Sequence, residues 1–143
     1  PHVAVFGKKD FQQFMVIREL VRQFNLPIGI VAGDTLREAD GLAMSSRNAY
    51  LGASERIQAA QLQRELAAIV TAVQAGERDF GALAATAARH LKMAGWRVDY
   101  VELRDAATLQ APTPDSPRLV VLGAAWLGNT RLIDNFDFVP PFE

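Results

Sequence analysis

The sequence predicts an α/β chain: the end of an open parallel sheet, contributed as one βαβ unit, followed by a small α+β layer of two helices on a three-stranded antiparallel sheet. Three observations carry this. Short apolar runs at Val3–Phe6 and Ile28–Val31 flank a helical pattern. Two more helical patterns follow between Ser54 and Leu91. Three strand-like runs come after them, the last two flanking Gly128-Asn129.

Val3 to Phe6 reads as a short buried strand ended by Gly7. Asp10 is placed to cap a helix, with Gln13 three residues on in capping-box spacing. Phe14, Ile17, Val21 and Phe24 recur at helical intervals, and Asn25 and Pro27 end the run. Ile28 to Val31 is then a second strand, and a helix of this length between strands implies a parallel crossover. Residues 36–50 are polar, contain Gly41 and show no periodicity, so they read as a loop. Ser54 is a plausible cap for one long amphipathic helix carrying Leu62, Leu66, Ile69 and Val73, ended by Gly76. Asp79 caps the next, with Phe80, Leu83, Ala87 and Leu91 inward and Gly95 after it. Val98–Leu103 reads as a strand, Thr108–Pro117 as a loop, and Leu119–Leu127 with Thr130–Ile133 as a hairpin about Gly128-Asn129. Asp134-Asn135 resembles a terminal turn. The expected division is residues 1–43 and 44–143.

Composition narrows the function classes. The 143 residues, half of them hydrophobic, are enough to bury a core. A formal net charge of −1 gives no broad attraction to nucleic acid. Cysteine is absent, which excludes disulfides and thiolate metal sites. His2 and His90 lie far apart, so no metal site is expected. No apolar run approaches the roughly 20 residues of a membrane span, and no signal peptide is visible at residues 1–30. A cytoplasmic protein is the default. Because the chain runs from Pro1 almost directly into a strand, and a two-stranded parallel sheet needs neighbours, it is expected to be part of a longer polypeptide.

Two segments could carry chemistry. Gly7-Lys8-Lys9-Asp10, with Gln12 and Gln13, lies where a parallel strand passes into a helix. Ligands of open α/β sheets bind at carboxyl ends of strands, and free N–H groups at a helix start favour anions. The plainer account is a helix cap and two solvated lysines. Asp40-Gly41-Leu42-Ala43-Met44-Ser45-Ser46-Arg47-Asn48 offers two hydroxyls and a guanidinium, donors that suit a phosphate ester whose charge shifts during reaction. Its plainer account is an interdomain loop of turn and cap residues. Both segments would project from the same sheet edge and face one pocket. Glu38 and Asp40 read as solvated, His90 as solvated beside Arg89 and Lys92, and Trp96 and Trp126 as packing residues.

At these motifs the chain resembles the pantoate–β-alanine ligase family, the pantothenate synthetases. Phe6-Gly7-Lys8-Lys9-Asp10-Phe11-Gln12-Gln13 is similar to that family's Phe-Gly-x-Lys-Asp-[Phe/Tyr]-Gln-Gln segment. Arg37 through Asn48 resembles its counterpart of the KMSKS loop of class I aminoacyl-tRNA synthetases. Glu102-Leu103-Arg104-Asp105 and Ala124-Ala125-Trp126-Leu127-Gly128, with Arg131 to Asn135, fit as well. The resemblance implies that residues 1–43 are the end of a Rossmann-like nucleotide-binding domain and residues 44–143 an α+β lid. It implies ATP-dependent joining of (R)-pantoate to β-alanine through a pantoyl adenylate, releasing pyrophosphate and AMP in coenzyme A biosynthesis. ATP would arrive with Mg2+, and no metal ligands are implied in this chain. By motif, Gly7, Lys8, Lys9, Asp10, Leu36, Met44, Ser45, Ser46 and Arg47 would bind ATP. Lys9, Ser45, Ser46 and Arg47 would serve the chemistry, and Gln13 would bind pantoate. A homodimer is implied for the full-length enzyme, and the chain alone is expected to be inactive. The alternatives are a non-catalytic binding or assembly module built on the α+β half, and another adenylate-forming nucleotidyltransferase.

Overall fold

The computed structural model describes residues 3–23 and 29–141, with the backbone alone at 3–6, 17, 20–21 and 29–33. The readings made for His2, Phe24, Asn25, Pro27 and Ile28 fall outside the described residues. In chain order the elements are β1 (Val3–Gly7), α1 (Phe11–Gln23), β2 (Gly29–Gly33), a 3-10 helix (Ser46–Tyr50), α2 (Ala53–Gln58), α3 (Ala60–Gln74), α4 (Phe80–Met93), β3 (Arg97–Asp105), β4 (Leu119–Leu127) and β5 (Thr130–Phe138).

The βαβ unit forms as the sequence predicts. β1 and β2 pair in parallel, with Val3 opposite Gly29 and Gly7 opposite Gly33. Asp10 caps α1, its carboxylate accepting the Gln13 N–H at 3.1 Å. Phe11 and Phe14 are buried.

The second half is a three-stranded antiparallel sheet, β3-β4-β5. Leu119–Leu127 pairs with Thr130–Phe138 across the two-residue turn at Gly128-Asn129. Gly128 sits at φ +59, a left-handed conformation that favours glycine in this turn. α3 and α4 cover one face. Leu62, Leu66, Ile69 and Val73 of α3 and Ala87 and Leu91 of α4 share a core with Leu103, Val121, Ala125 and Leu132. Each such leucine is worth roughly 1.5–3 kcal/mol on burial. The other face, which the sequence reading left uncovered, carries Phe11 of α1 against Val120 and Leu122. The central strand β4 is therefore buried on both sides.

Several expectations are corrected. The first long helix is interrupted at Ala59, giving α2 and α3. Its start is Gly52, not Ser54: the Glu55 carboxylate accepts the Gly52 N–H at 3.1 Å, leaving Ser54 inside the first turn. The segment read as an unpatterned loop contains a tight hairpin, with Arg37 bridged to Ala43. Glu38 N–H donates to Leu42 O at 2.8 Å, and Met44 N–H donates to Leu36 O at 2.9 Å. Gly41 makes the turn at φ +94. Leu42 and Ala43 are buried, which anchors this hairpin in the protein. β5 continues past Ile133 to Phe138, so Asp134-Asn135 is strand rather than terminal turn. His90 is exposed, as read, with its Nδ1 3.1 Å from Glu65 Oε2. Asp40 pairs with Arg56 at 2.7 Å. Trp96 packs as read, its indole N–H donating to Gln61 Oε1 at 3.0 Å. No described helix is long and apolar enough to cross a membrane.

Candidate functional site

The two motifs meet. A cleft of about 390 Å³ is lined by Gly7, Lys9, Asp10 and Gln13 from the first, by Met44, Ser45 and Arg47 from the second, and by Arg131, Leu132 and Ile133 from β5. The start of α1 supplies one wall, where the chain leaves a parallel strand and the helix has unpaired N–H groups. The segment leaving the hairpin supplies the facing wall.

Lys9 joins the walls. Its Nζ donates to Met44 O at 3.1 Å. It is half-buried, so the account of two solvated lysines fails here. Burial holds its ammonium below the ordinary lysine value; Arg47 and Arg37 add repulsion in the same direction, while Asp134 opposes them. Such a lysine gains from an anion that replaces the lost water. Lys8 turns away from the cleft, 3.6 Å from both Asp34 and Asp137.

On the facing wall, Ser45 Oγ accepts the Arg47 N–H at 3.1 Å and starts the 3-10 helix. Its hydrogen remains available to a ligand oxygen. The Arg47 guanidinium is exposed, its one described partner being Arg131 O at 3.5 Å. Ser46 and Leu36 lie outside the cleft lining, Ser46 exposed in the 3-10 helix and Leu36 with its carbonyl engaged by Met44 N–H. Among the described residues, no cluster of three or more His, Asp or Glu is placed to hold a metal ion. Asp10 is the carboxylate in the cleft lining, and one of its oxygens already accepts a backbone bond.

Three residues that sequence reasoning left without a role shape this site, together with the Asp134 partner of one of them. Arg131 adds a cation to the cleft, its Nε held by Asp99 at 2.8 Å beside a register shift in β3. Arg37 donates to both oxygens of Asp134, at 2.6 and 2.8 Å, and to Gly41 O at 3.0 Å. Its guanidinium lies 4.5 Å over the Phe136 ring. Asn135 Nδ2 donates to Lys8 O at 2.6 Å and Lys9 O at 2.7 Å. The available signal was a polar pair set between apolar Leu132-Ile133 and Phe136 in one strand. A larger recess of about 640 Å³ adjoins the cleft, shares Arg47 and Arg131 with it, and is further lined by Tyr50, Glu55 and Trp126.

Comparison with known proteins identifies the family. Residues 1–137 match the family described as pantoate-beta-alanine ligase. The pantothenate synthetase of Thiobacillus denitrificans is 68% identical over 137 residues, covering 96% of this chain and 48% of that protein. That of Methylobacillus flagellatus is 56% identical over 138 residues, covering 96% and 50%. Among solved structures, pantothenate synthetase from Thermus thermophilus superposes with a TM-score of 0.88 at 34% identity, over 95% of this chain and 49% of that one. Pantoate-beta-alanine ligase from Francisella tularensis, complexed with beta-gamma ATP and beta-alanine, gives a TM-score of 0.68 at 26% identity, over 95% and 43%. The chain thus spans about half the length of the curated relatives it matches. With that match running through both site motifs and the sheet beneath them, the chain belongs to the pantoate-beta-alanine ligase family.

Proposed function

We propose that the cleft is the phosphate-facing part of an ATP site in an acid–amine ligase that joins pantoate to β-alanine. The observation that carries this is the convergence of Lys9, Ser45 and Arg47 on one cleft. The Francisella relative was solved with an ATP compound and β-alanine, which supports the same ligand classes here. In the proposed reaction a pantoate carboxylate oxygen attacks the α-phosphorus of ATP. The bond from that phosphorus to the bridging oxygen breaks, and pyrophosphate leaves. The β-alanine amine then attacks the acyl carbon, expels AMP and sheds a proton, leaving the amide.

Each residue has a part in this reading. Lys9 exchanges Met44 O for a phosphate oxygen, and Asp10 accepts from the ribose. Ser45, Ser46 and Arg47 close over the triphosphate, where charge builds as pyrophosphate departs. Gly7 and Lys8 shape the turn, the Leu36 and Met44 backbones border the nucleotide, and Gln13 bonds pantoate. Mg2+ enters bound to ATP. The work is positioning and electrostatics, with little need of a general base. The same reading places the boundary between nucleotide-binding and lid parts at Ala43/Met44, the protein in the cytoplasm, and the full-length family member in a homodimer. Spanning half its relatives' length, the chain alone should bind nucleotide without turnover, and a coupled AMP-release assay should give no steady-state signal.

Calorimetric titration with ATP tests the site. Binding below millimolar, weakened at least tenfold in Arg47→Ala, is the expected result. No heat from the native chain would sink the reading. It would favour a non-catalytic assembly module, for which the closed core of α3, α4 and β3–β5 is the support.

A further inference from the structure

We infer that Asp134-Asn135 on β5 is a two-sided positioning device that sets the spacing between the two walls of the cleft. Neighbouring residues of a strand point to opposite faces of the sheet. Asp134 pairs with Gly123 and shares the face of Phe136 and α3; Asn135 pairs with Leu122 and shares the face of Phe11 and α1. Each face receives one motif. On the α1 side, Asn135 spends both amide hydrogens on the consecutive carbonyls of Lys8 and Lys9. On the α3 side, the Asp134 carboxylate takes the Arg37 fork through both oxygens, and Arg37 holds the Gly41 carbonyl at the hairpin turn.

The arrangement closes a ring. It runs from Asn135 to Lys9, across the Lys9 Nζ bond to Met44 O, back along the hairpin to Arg37, and through Asp134 to Asn135. Adjacent covalent positions therefore fix two segments some thirty residues apart in sequence. Asp134 and Asn135 are 4% and 3% exposed, and a buried polar pair costs desolvation that an apolar pair would avoid. A site needing phosphate donors at fixed separation gives a reason for that cost. Neither residue lines the cleft, so both act through Lys9 and the hairpin rather than on the ligand.

The inference rests on the nucleotide reading of the cleft, and calorimetry with ATP and with inorganic pyrophosphate separates the two. Titrations are made on the native chain, Asn135→Ala, Asn135→Ser, Arg37→Lys and Lys9→Met, each well below its melting temperature. Asn135→Ala and Arg37→Lys should each weaken ATP and pyrophosphate about tenfold or more. Asn135→Ser keeps one donor, is the milder change should Asn135→Ala fail to fold, and should lose an intermediate amount. The decisive readout is the double variant. In a Lys9→Met background, Asn135→Ala should cost less than a further twofold, because its effect passes through Lys9. A purely structural role predicts lowered melting temperatures with unchanged affinities, or losses that multiply in the double variant. Either overturns the inference while leaving the site standing. If the native chain binds neither probe, the site reading falls and this inference with it.

Discussion

The two walls of the cleft are built differently. The Lys8–Asp10 turn is held from three directions: Asn135 grips two of its carbonyls, Asp10 caps α1, and Phe11 is buried against Val120 and Leu122. The Met44–Arg47 segment is anchored at its two ends, behind it at buried Leu42 and Ala43 and at the Arg37–Asp134 pair, and ahead of it at Asn48, which donates to Ala43 O, and at Leu51, packed on the core. Between those anchors Met44, Ser46 and Arg47 are exposed. Across the gap run the Lys9 bond to Met44 O and a long contact from Arg47 to Arg131 O. One wall is preorganised to receive charge. The other has little packing to lose on closing, the usual property of segments that move on binding.

The largest effects come from breaking the anchors. Asp134→Ala should cost about 3 kcal/mol, read as a shift of the urea midpoint, because it leaves the partly buried Arg37 guanidinium without its carboxylate. A loss under about 1 kcal/mol would mean the hairpin is held by Leu42 and Ala43 alone. Phe11→Ala should cost about 3 kcal/mol through the cavity left against Val120 and Leu122. In that variant, amide exchange should rise at Lys8 and Lys9 and stay unchanged along α3. Equal acceleration in both places would show that the two faces of the sheet do not hold the two walls separately.

The contrast between the walls was half legible in the sequence. Strand ends and caps are local, so Gly7, Asp10 and the convergence of the two motifs could be read from spacing. The hairpin turn at Gly128-Asn129 was legible for the same reason. The anchors were not, because Arg37 and Asp134 are 97 positions apart and Asn135 and Lys9 126 apart, and no periodicity registers a single long-range bond. The covered second face of the sheet did leave a trace. Leu119-Val120-Val121-Leu122 is apolar at every position, as a strand buried on both sides should be, whereas a half-exposed strand alternates. The split at Ala59 left none, since an alanine-rich stretch gives no helix-stopping residue to read.

Smaller effects test the exposed wall itself. Arg47→Ala should leave the unfolding midpoint within about 0.5 kcal/mol of native, since the guanidinium is exposed and weakly partnered. Its consequence belongs to ATP affinity alone. A clear drop in stability would show that the segment is part of the fold rather than an overhang.

Lys9, which touches both walls, gives the smallest and most diagnostic shift, a pH dependence with two opposed signs. Burial first, then repulsion from Arg47 and Arg37 against the pull of Asp134, sets its ammonium below the ordinary value of 10.5. Between the lowered folded value and 10.5 the unfolded chain holds the proton more often than the folded one. Lys9's contribution to stability therefore rises with pH across that window. ATP affinity runs the other way, falling as pH climbs through the folded value and the cation is lost. Lys9→Arg keeps its charge throughout and should flatten both trends. The measurement is the difference between native and Lys9→Arg in paired calorimetric and denaturant titrations from neutral to alkaline pH. Parallel native and variant curves would remove Lys9 from the charge balance of the cleft. Opposed slopes in the native chain alone would fix it as the group through which the rigid wall meets the phosphate.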